Sequence, residues 1–195
     1  MEKLAGIILA AGLSSRMGAF KPLLEIDGVS MVRRVVQLMQ VAGAHPVVVV
    51  TGHRRRELEE HLQGAGVELV HNPDYASTQQ FDSLRLALAR LEGRCGRLLI
   101  SPADIPFVKP ETVEALLGAP GEFVRPVYRG RGGHPVLLSG DLIPALLRYD
   151  GPDGLRGAIR KSGCVVRNVE VEDGGVLMDN DTPEDFARTV KWRKS

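Results

Sequence analysis

The chain carries almost no excess of charge. Twenty-five lysines and arginines stand against 24 aspartates and glutamates in 195 residues, a formal net charge of +1. A general nucleic-acid binder shows a basic excess or stripe, so that class is set aside. No apolar run approaches the ~20 residues that a membrane helix needs. A strand-like run begins almost at residue 1, and no signal peptide is recognisable. Cysteine is scarce: Cys95 and Cys164 are far apart and in no ligand-like spacing. A reduced, cytoplasmic setting with two buried, inert thiols is therefore expected. The histidines at 45, 53, 61 and 71 form no zinc-ligand spacing, and no Ser-His-Asp constellation can be argued from spacing. There is no internal repeat, no low-complexity stretch and no linker long enough to divide the chain. One domain spanning 1–195, with a full-sized core, is expected.

What is present alternates. Apolar, β-rich runs occupy 4–10, 46–51, 67–71, 97–101, 123–128, 135–138 and 164–169. Amphipathic helical patterns fall between several of them. Ser30 caps one whose apolar face is Val32, Val35, Val36 and Met39, ending at Gly43. Asp82 is expected to cap another, with Leu84, Ala87, Leu88 and Leu91 on one side. Pro110 suits a first helical turn, and Arg54-Arg55-Arg56 reads as the solvated start of a helix. Thr182, Pro183, Glu184 and Asp185 form the sharpest start signal, ahead of the last helix. Alternation of this kind predicts an α/β fold: a three-layer α/β/α sandwich, Rossmann-like, around a mainly parallel sheet. The Gly-rich stretch after Tyr128 is where an antiparallel excursion is placed.

In such a sheet, ligands bind beyond the carboxyl ends of the strands. The loop following the first strand is the most informative segment: Leu9-Ala10-Ala11-Gly12-Leu13-Ser14-Ser15-Arg16-Met17-Gly18-Ala19-Phe20-Lys21. It offers backbone N–H groups and two cations to a polyphosphate. It matches neither common phosphate fingerprint. Five residues separate Gly12 from Gly18 where a P-loop has four, and Ser14 stands where a dinucleotide loop has its second glycine. Arg16 and Lys21 are candidates to hold the β- and γ-phosphates, the alternative being two solvated charges on a turn. Asp104, between Pro102 and Pro106 after a buried run, is a candidate Mg²⁺ ligand or else a turn cap. Asp181 is a candidate second carboxylate, although an aspartate before a helix also gains from the helix dipole; Asp179 has the same two readings. His134, between Gly133 and Pro135, either meets an acceptor substrate or is simply exposed.

Taken in order, these motifs are similar to those of the nucleotidyltransferase family that includes molybdenum cofactor cytidylyltransferase and, more distantly, the sugar-nucleotide synthesising enzymes. The matching segments are Leu-Ala-Ala-Gly-Leu-Ser-Ser-Arg-Met-Gly with Lys21, Val-Thr-Gly-His at 50–53, His-Asn-Pro-Asp-Tyr at 71–75, Ala-Asp-Ile-Pro at 103–106, Gly-Gly-His-Pro at 132–135 and Asp-Thr-Pro-Glu-Asp at 181–185. The resemblance implies transfer of a nucleotidyl group from a nucleoside triphosphate to a phosphate, with Mg²⁺ as cofactor and loss of pyrophosphate. It implies nucleotide contacts at Leu9, Ala10, Ala11, Gly12, Arg16, Lys21 and Ser83, catalytic roles for Arg16, Lys21 and Asp104, metal ligation by Asp104 and Asp181, and an acceptor-side place for His134. The implied partners are CTP and molybdopterin or its metal-loaded form, with hand-over to a molybdoenzyme or its chaperone.

Relatives that use GTP tend to read Leu-Ala-Gly-Gly in the first loop, and those using CTP Ala-Ala-Gly. A methyl at Ala11 facing the base pocket is expected to disfavour a purine by about 1–3 kcal/mol. The chain departs from the family pattern at 77–83, Ser-Thr-Gln-Gln-Phe-Asp-Ser, which lacks the usual glycine and is bulkier; the resemblance places this segment at the border of the nucleotide or acceptor pocket. A GTP-using enzyme, a sugar- or polyol-phosphate acceptor, and a non-catalytic nucleotide-binding or cofactor-delivery protein remain as alternatives.

Overall fold

The computed structural model describes residues 3–193. Its centre is a twisted sheet. Strand β1 (Leu4–Ala10) is flanked by β4 (Val47–Thr51) and β6 (Arg97–Pro102), both parallel to it. On one side β5 (Glu68–His71) extends the sheet beyond β4. On the other, β9 (Val136–Ser139) pairs antiparallel with both β6 and β7 (Phe123–Tyr128), and β10 (Val166–Glu170) closes that edge parallel to β7. The order is β10-β7-β9-β6-β1-β4-β5, with the two-residue β8 (Arg131–Gly132) turning back on β7. The antiparallel excursion thus falls after Tyr128, as expected. A small hairpin, β2 (Glu25–Ile26) and β3 (Val29–Ser30), stands apart.

The central strands are apolar on both faces because both faces are covered, so alternate residues enter different cores. Ile8, Val47, Val49 and Leu99 face one way, against α1 (Met31–Val41) and α4 (Pro110–Gly118), with Leu58 of α2 (Arg55–His61). Ile7, Val48, Val50, Leu98 and Ile100 face the other, against α3 (Gln80–Leu91), α5 (Ile143–Leu147) and α6 (Gly154–Ser162). The result is a three-layer sandwich. The last helix, α7 (Pro183–Arg193), packs Phe186 and Val190 on a third cluster formed by Ile26, Met31 and Phe107.

Local signals explain most helix starts. The Ser30 side chain accepts from the Arg33 N–H. Thr182 and Asp185 exchange side-chain to backbone bonds, a reciprocal cap. At α3 the expectation is corrected. Asp82 is not the cap but the third helical residue; its carboxylate accepts from the Gln79 N–H at 2.9 Å, and the Gln79 side chain accepts in return. The helix therefore begins three residues earlier than the first capping residue in the sequence suggested, which draws Gln79 and Gln80 to the sheet's carboxyl edge.

Candidate active site

The loop leaving β1 folds over the carboxyl edge of the sheet. Ser14 takes a positive φ of 53° and Gly18 one of 70°, which lets the chain double back until the Ser14 Oγ accepts from the Lys21 N–H at 3.2 Å. The loop has room to do this because residue 52 is glycine: a Cβ there would come within 2.6 Å of the Ala11 carbonyl oxygen and 2.7 Å of the Tyr75 Cβ. Ala11 is 6% exposed, and its methyl lies against Gly52.

Lys21 is carried inward by this turn. Its ammonium sits between two carboxylates from distant parts of the chain, 3.0 Å from Asp104 and 2.6 Å from Asp181. Arg16 reaches the other oxygen of Asp181 at 2.6 Å. Burial disfavours the charge on Lys21, but its hydrogen bonds and Coulomb attraction to Asp181 and Asp104 outweigh that and raise its pKa above the ordinary lysine value. The hydrogen bond from Lys21 is the main reason the Asp181 carboxyl is held below the usual range; partial burial opposes it, and Arg16 adds to it. The sequence places these four groups on three separate loops, and the fold joins them in one network.

That network forms one wall of a cleft of about 350 Å³. Leu9, Ala10, Ala11, Gly12, Arg16, Lys21, Ser83, Asp104 and Asp181 all line it. So do Thr78, Gln79 and Gln80, from the segment expected to border a pocket, and Tyr75, to which the sequence assigned no role. Their course is set by Asn72, which is buried and donates to Thr78 Oγ1 at 3.0 Å and to Ser83 Oγ at 2.9 Å. The bulky departure at 77–83 therefore borders the cleft.

A second cavity, about 840 Å³, adjoins the first and shares Leu9, Gln79, Gln80 and Pro102 with it. Its floor is apolar, with Phe81, Leu84, Ile100, Phe123, Val136 and Ile159, while Arg125, Arg156 and Arg160 also line it. His134 lies here and not in the cleft. Its ring is not simply exposed: Nδ1 is buried without a hydrogen-bond partner, and burial lowers its pKa, with the Ile100 backbone and the charges of Asp104 and Asp179 partly offsetting. Gly133 permits this placement, since a Cβ there would lie 2.4 Å from the Val176 carbonyl oxygen. Cys164 also lines this cavity; it and Cys95 are half-buried rather than fully buried, and burial pushes the Cys95 thiol up.

Among the described residues no group of three or more His, Cys, Asp or Glu forms a metal cage. Two carboxylates facing an open cleft suit a different ligand set: a hard divalent cation that keeps waters and takes phosphate oxygens as its other ligands. The Lys21 ammonium between Asp104 and Asp181 shows that the position between them favours positive charge.

Residues 6–166 match the MobA-like NTP transferase domain. The chain belongs to that family. It is 28% identical to the molybdenum cofactor cytidylyltransferase of Escherichia coli K12, over 99% of this chain and 98% of that one. It is 31% identical to the bifunctional protein GlmU of Geobacter sulfurreducens, of which it spans 36%. A Methanothermobacter nucleotidyl transferase superposes with a TM-score of 0.83 at 27% identity, over 99% of both chains. The manganese complex of Rv0371c from Mycobacterium tuberculosis H37Rv gives 0.80 at 26%, over 97% of this chain and 98% of that one. The family assignment makes the protein a nucleotidyltransferase and therefore a transferase. No helix among the described residues is long and apolar enough to cross a membrane.

Proposed function

We propose that this nucleotidyltransferase transfers CMP from CTP to the phosphate of molybdopterin, acting in the cytoplasm as a single domain over 1–195. The observation that carries the reading is the junction of the two cavities. A cleft with a cationic loop and paired carboxylates adjoins a larger, mostly apolar chamber with an arginine-bearing lining, the two sharing Leu9, Gln79, Gln80 and Pro102. One suits a triphosphate, the other a phosphorylated ring system.

In this reading the backbone of 9–12 and the side chains of Arg16 and Lys21 hold the triphosphate. Lys21 exchanges carboxylate oxygens for phosphate oxygens when nucleotide arrives. Asp104 and Asp181, released from it, would hold Mg²⁺, which would supply charge compensation at the phosphate oxygens. The acceptor phosphate, approaching from the larger cavity, places an oxygen in line with the α-phosphorus. A P–O bond forms there as the bond to the oxygen bridging the α- and β-phosphorus breaks, and pyrophosphate leaves with that electron pair. The chain's contribution is position and charge, and no covalent enzyme intermediate is needed. His134, whose burial disfavours the charged form, shapes the acceptor chamber. The finished cofactor is then handed to a molybdoenzyme or its chaperone.

The full-length likeness to the E. coli cytidylyltransferase supports molybdopterin as acceptor, and Ala11 supports CTP over GTP. The test is pyrophosphate release with each triphosphate against molybdopterin, a hexose 1-phosphate and a polyol phosphate. The expected result is turnover with CTP and molybdopterin. A clear preference for GTP, or for a sugar phosphate, would replace the substrate assignment, and no release with any pair would favour a binding or delivery protein.

A further inference from the structure

Asn180 takes no part in the chemistry proposed above, yet its side chain is fully buried. Its Nδ2 donates to the Asp104 carbonyl at 2.8 Å and to the Met178 carbonyl at 3.2 Å. Two carbonyls can be met only by the NH₂ end of the amide, so its orientation is fixed. Its Oδ1 is consequently left buried and without a partner. An orphaned buried acceptor is unfavourable, and an apolar side chain here would avoid that cost. What the amide achieves is a tie across the site. Asp104 lies 76 positions earlier in the chain, and Asp181 is the next residue. One side chain thus joins the backbone of the first carboxylate residue to the neighbour of the second.

The tie lies in a segment held at other points as well. The buried Asp173 accepts from the Lys109 N–H at 2.8 Å and from Thr112 Oγ1 at 2.7 Å at the start of α4. The Val176 carbonyl accepts from the His134 N–H at 3.0 Å. Residues 173–181 therefore run as a strap from α4, past the His134 turn, to the two carboxylates. The strap lies beyond residue 166, where the match to the family domain ends.

We propose that Asn180 is a positioning residue, setting the separation of Asp104 and Asp181 and through it the affinity of the pair for a divalent cation. The proposal rests on the reading that those two carboxylates hold the cation.

The test compares Asn180→Ala with Asp104→Asn, Asp181→Asn and a destabilised variant remote from the site, Leu62→Ala in the core under α2. Two quantities are read well below every Tm: the Mg²⁺ concentration giving half-maximal turnover, and Mn²⁺ binding by electron paramagnetic resonance with CTP and no acceptor. Asn180→Ala is expected to weaken both about 10-fold, as loss of a group orienting metal ligands does, with the KM for CTP at saturating metal little changed. Leu62→Ala is expected to lower Tm and move neither quantity. Should Asn180→Ala fail to fold, Asn180→Ser, which keeps a small donor, carries the same comparison. If the carboxylate variants weaken metal binding and the Asn180 variant does not, this proposal is overturned alone. If none of the three does, the metal reading fails and takes the proposal with it.

Discussion

The two cavities differ in the way they are built. The smaller is lined by loops that follow parallel strands, and its charges are already engaged with one another: Lys21 with Asp104 and Asp181, Arg16 with Asp181. The larger is lined by α6, β7, β9 and the start of α3, and its floor is hydrocarbon and aromatic. A preorganised set of charges is what the transfer of a charged group calls for, since stabilisation aimed in advance costs no reorganisation during reaction. A chamber of side-chain surfaces is suited to choosing a substrate by shape. On the proposed reading, the transfer chemistry and the choice of acceptor fall to different elements, and each can be altered without the other.

The largest effect is expected where that division is broken on the charged side. Lys21→Ala should lower kcat/KM by about 10²–10³, the loss typical when one preorganised electrostatic partner is removed. Steady-state pyrophosphate release measures it, and a loss below threefold would show that Lys21 serves only as an ion-pair partner of the two aspartates. Asp104→Asn should bring a loss of similar size while leaving the KM for the acceptor unchanged. On the other side, Phe81→Ala opens the larger cavity and should raise the acceptor KM about 10-fold through lost apolar contact, with kcat nearly unchanged. A fall in kcat alone would blur the division. Ala11→Gly sharpens it within the nucleotide cleft. If the methyl excludes purines, GTP use rises about 10-fold; because that methyl lies against Gly52, no change would move base selection to Tyr75, Thr78 and Gln79.

The smallest effect is on stability against pH. His134 has a folded pKa below its unfolded value near 6.5, so the unfolded state binds the proton first. Its contribution is present above pH 6.5 and is lost as pH falls through that value toward the folded pKa. Asp181 is also depressed, from 3.8, and its contribution is lost only below that. Lys21 is raised above 10.5, so its share is full below that pH and is lost as pH rises through the folded value. Tm should thus decline between pH 7 and 5 in the native protein and decline less in His134→Gln. Parallel curves would remove His134 from that slope.

The parts of the molecule that follow local rules were legible in the sequence. β1 and β7 have the expected bounds, and Ser30, Pro110 and Thr182 mark helix starts because capping depends on residues within one turn. The β2–β3 hairpin was not read, although Asp27-Gly28, both at positive φ in its turn, is a standard signal for one. α5 and α6 are short and bordered by glycines, so periodicity is weak there. In the site, Arg16, Lys21, Asp104 and Asp181 could be nominated because each follows a strand or precedes a helix at the sheet's carboxyl edge. That Lys21 lies between the two aspartates could not be read, since it depends on where three loops meet. The departure at 77–83 was expected to border a pocket, but Tyr75 was missed, and which of these side chains line the cleft depends on Asn72, which sets their path through bonds to residues six and eleven positions on.

The central claim is that the triphosphate is held where Lys21 lies between the two carboxylates. A crystal structure with CTP and Mg²⁺ tests it most directly. The account predicts phosphate oxygens within hydrogen-bond reach of Lys21 and the 9–12 backbone, with the cation on Asp104 and Asp181. Nucleotide bound elsewhere, with Lys21 still paired to both aspartates, would contradict it.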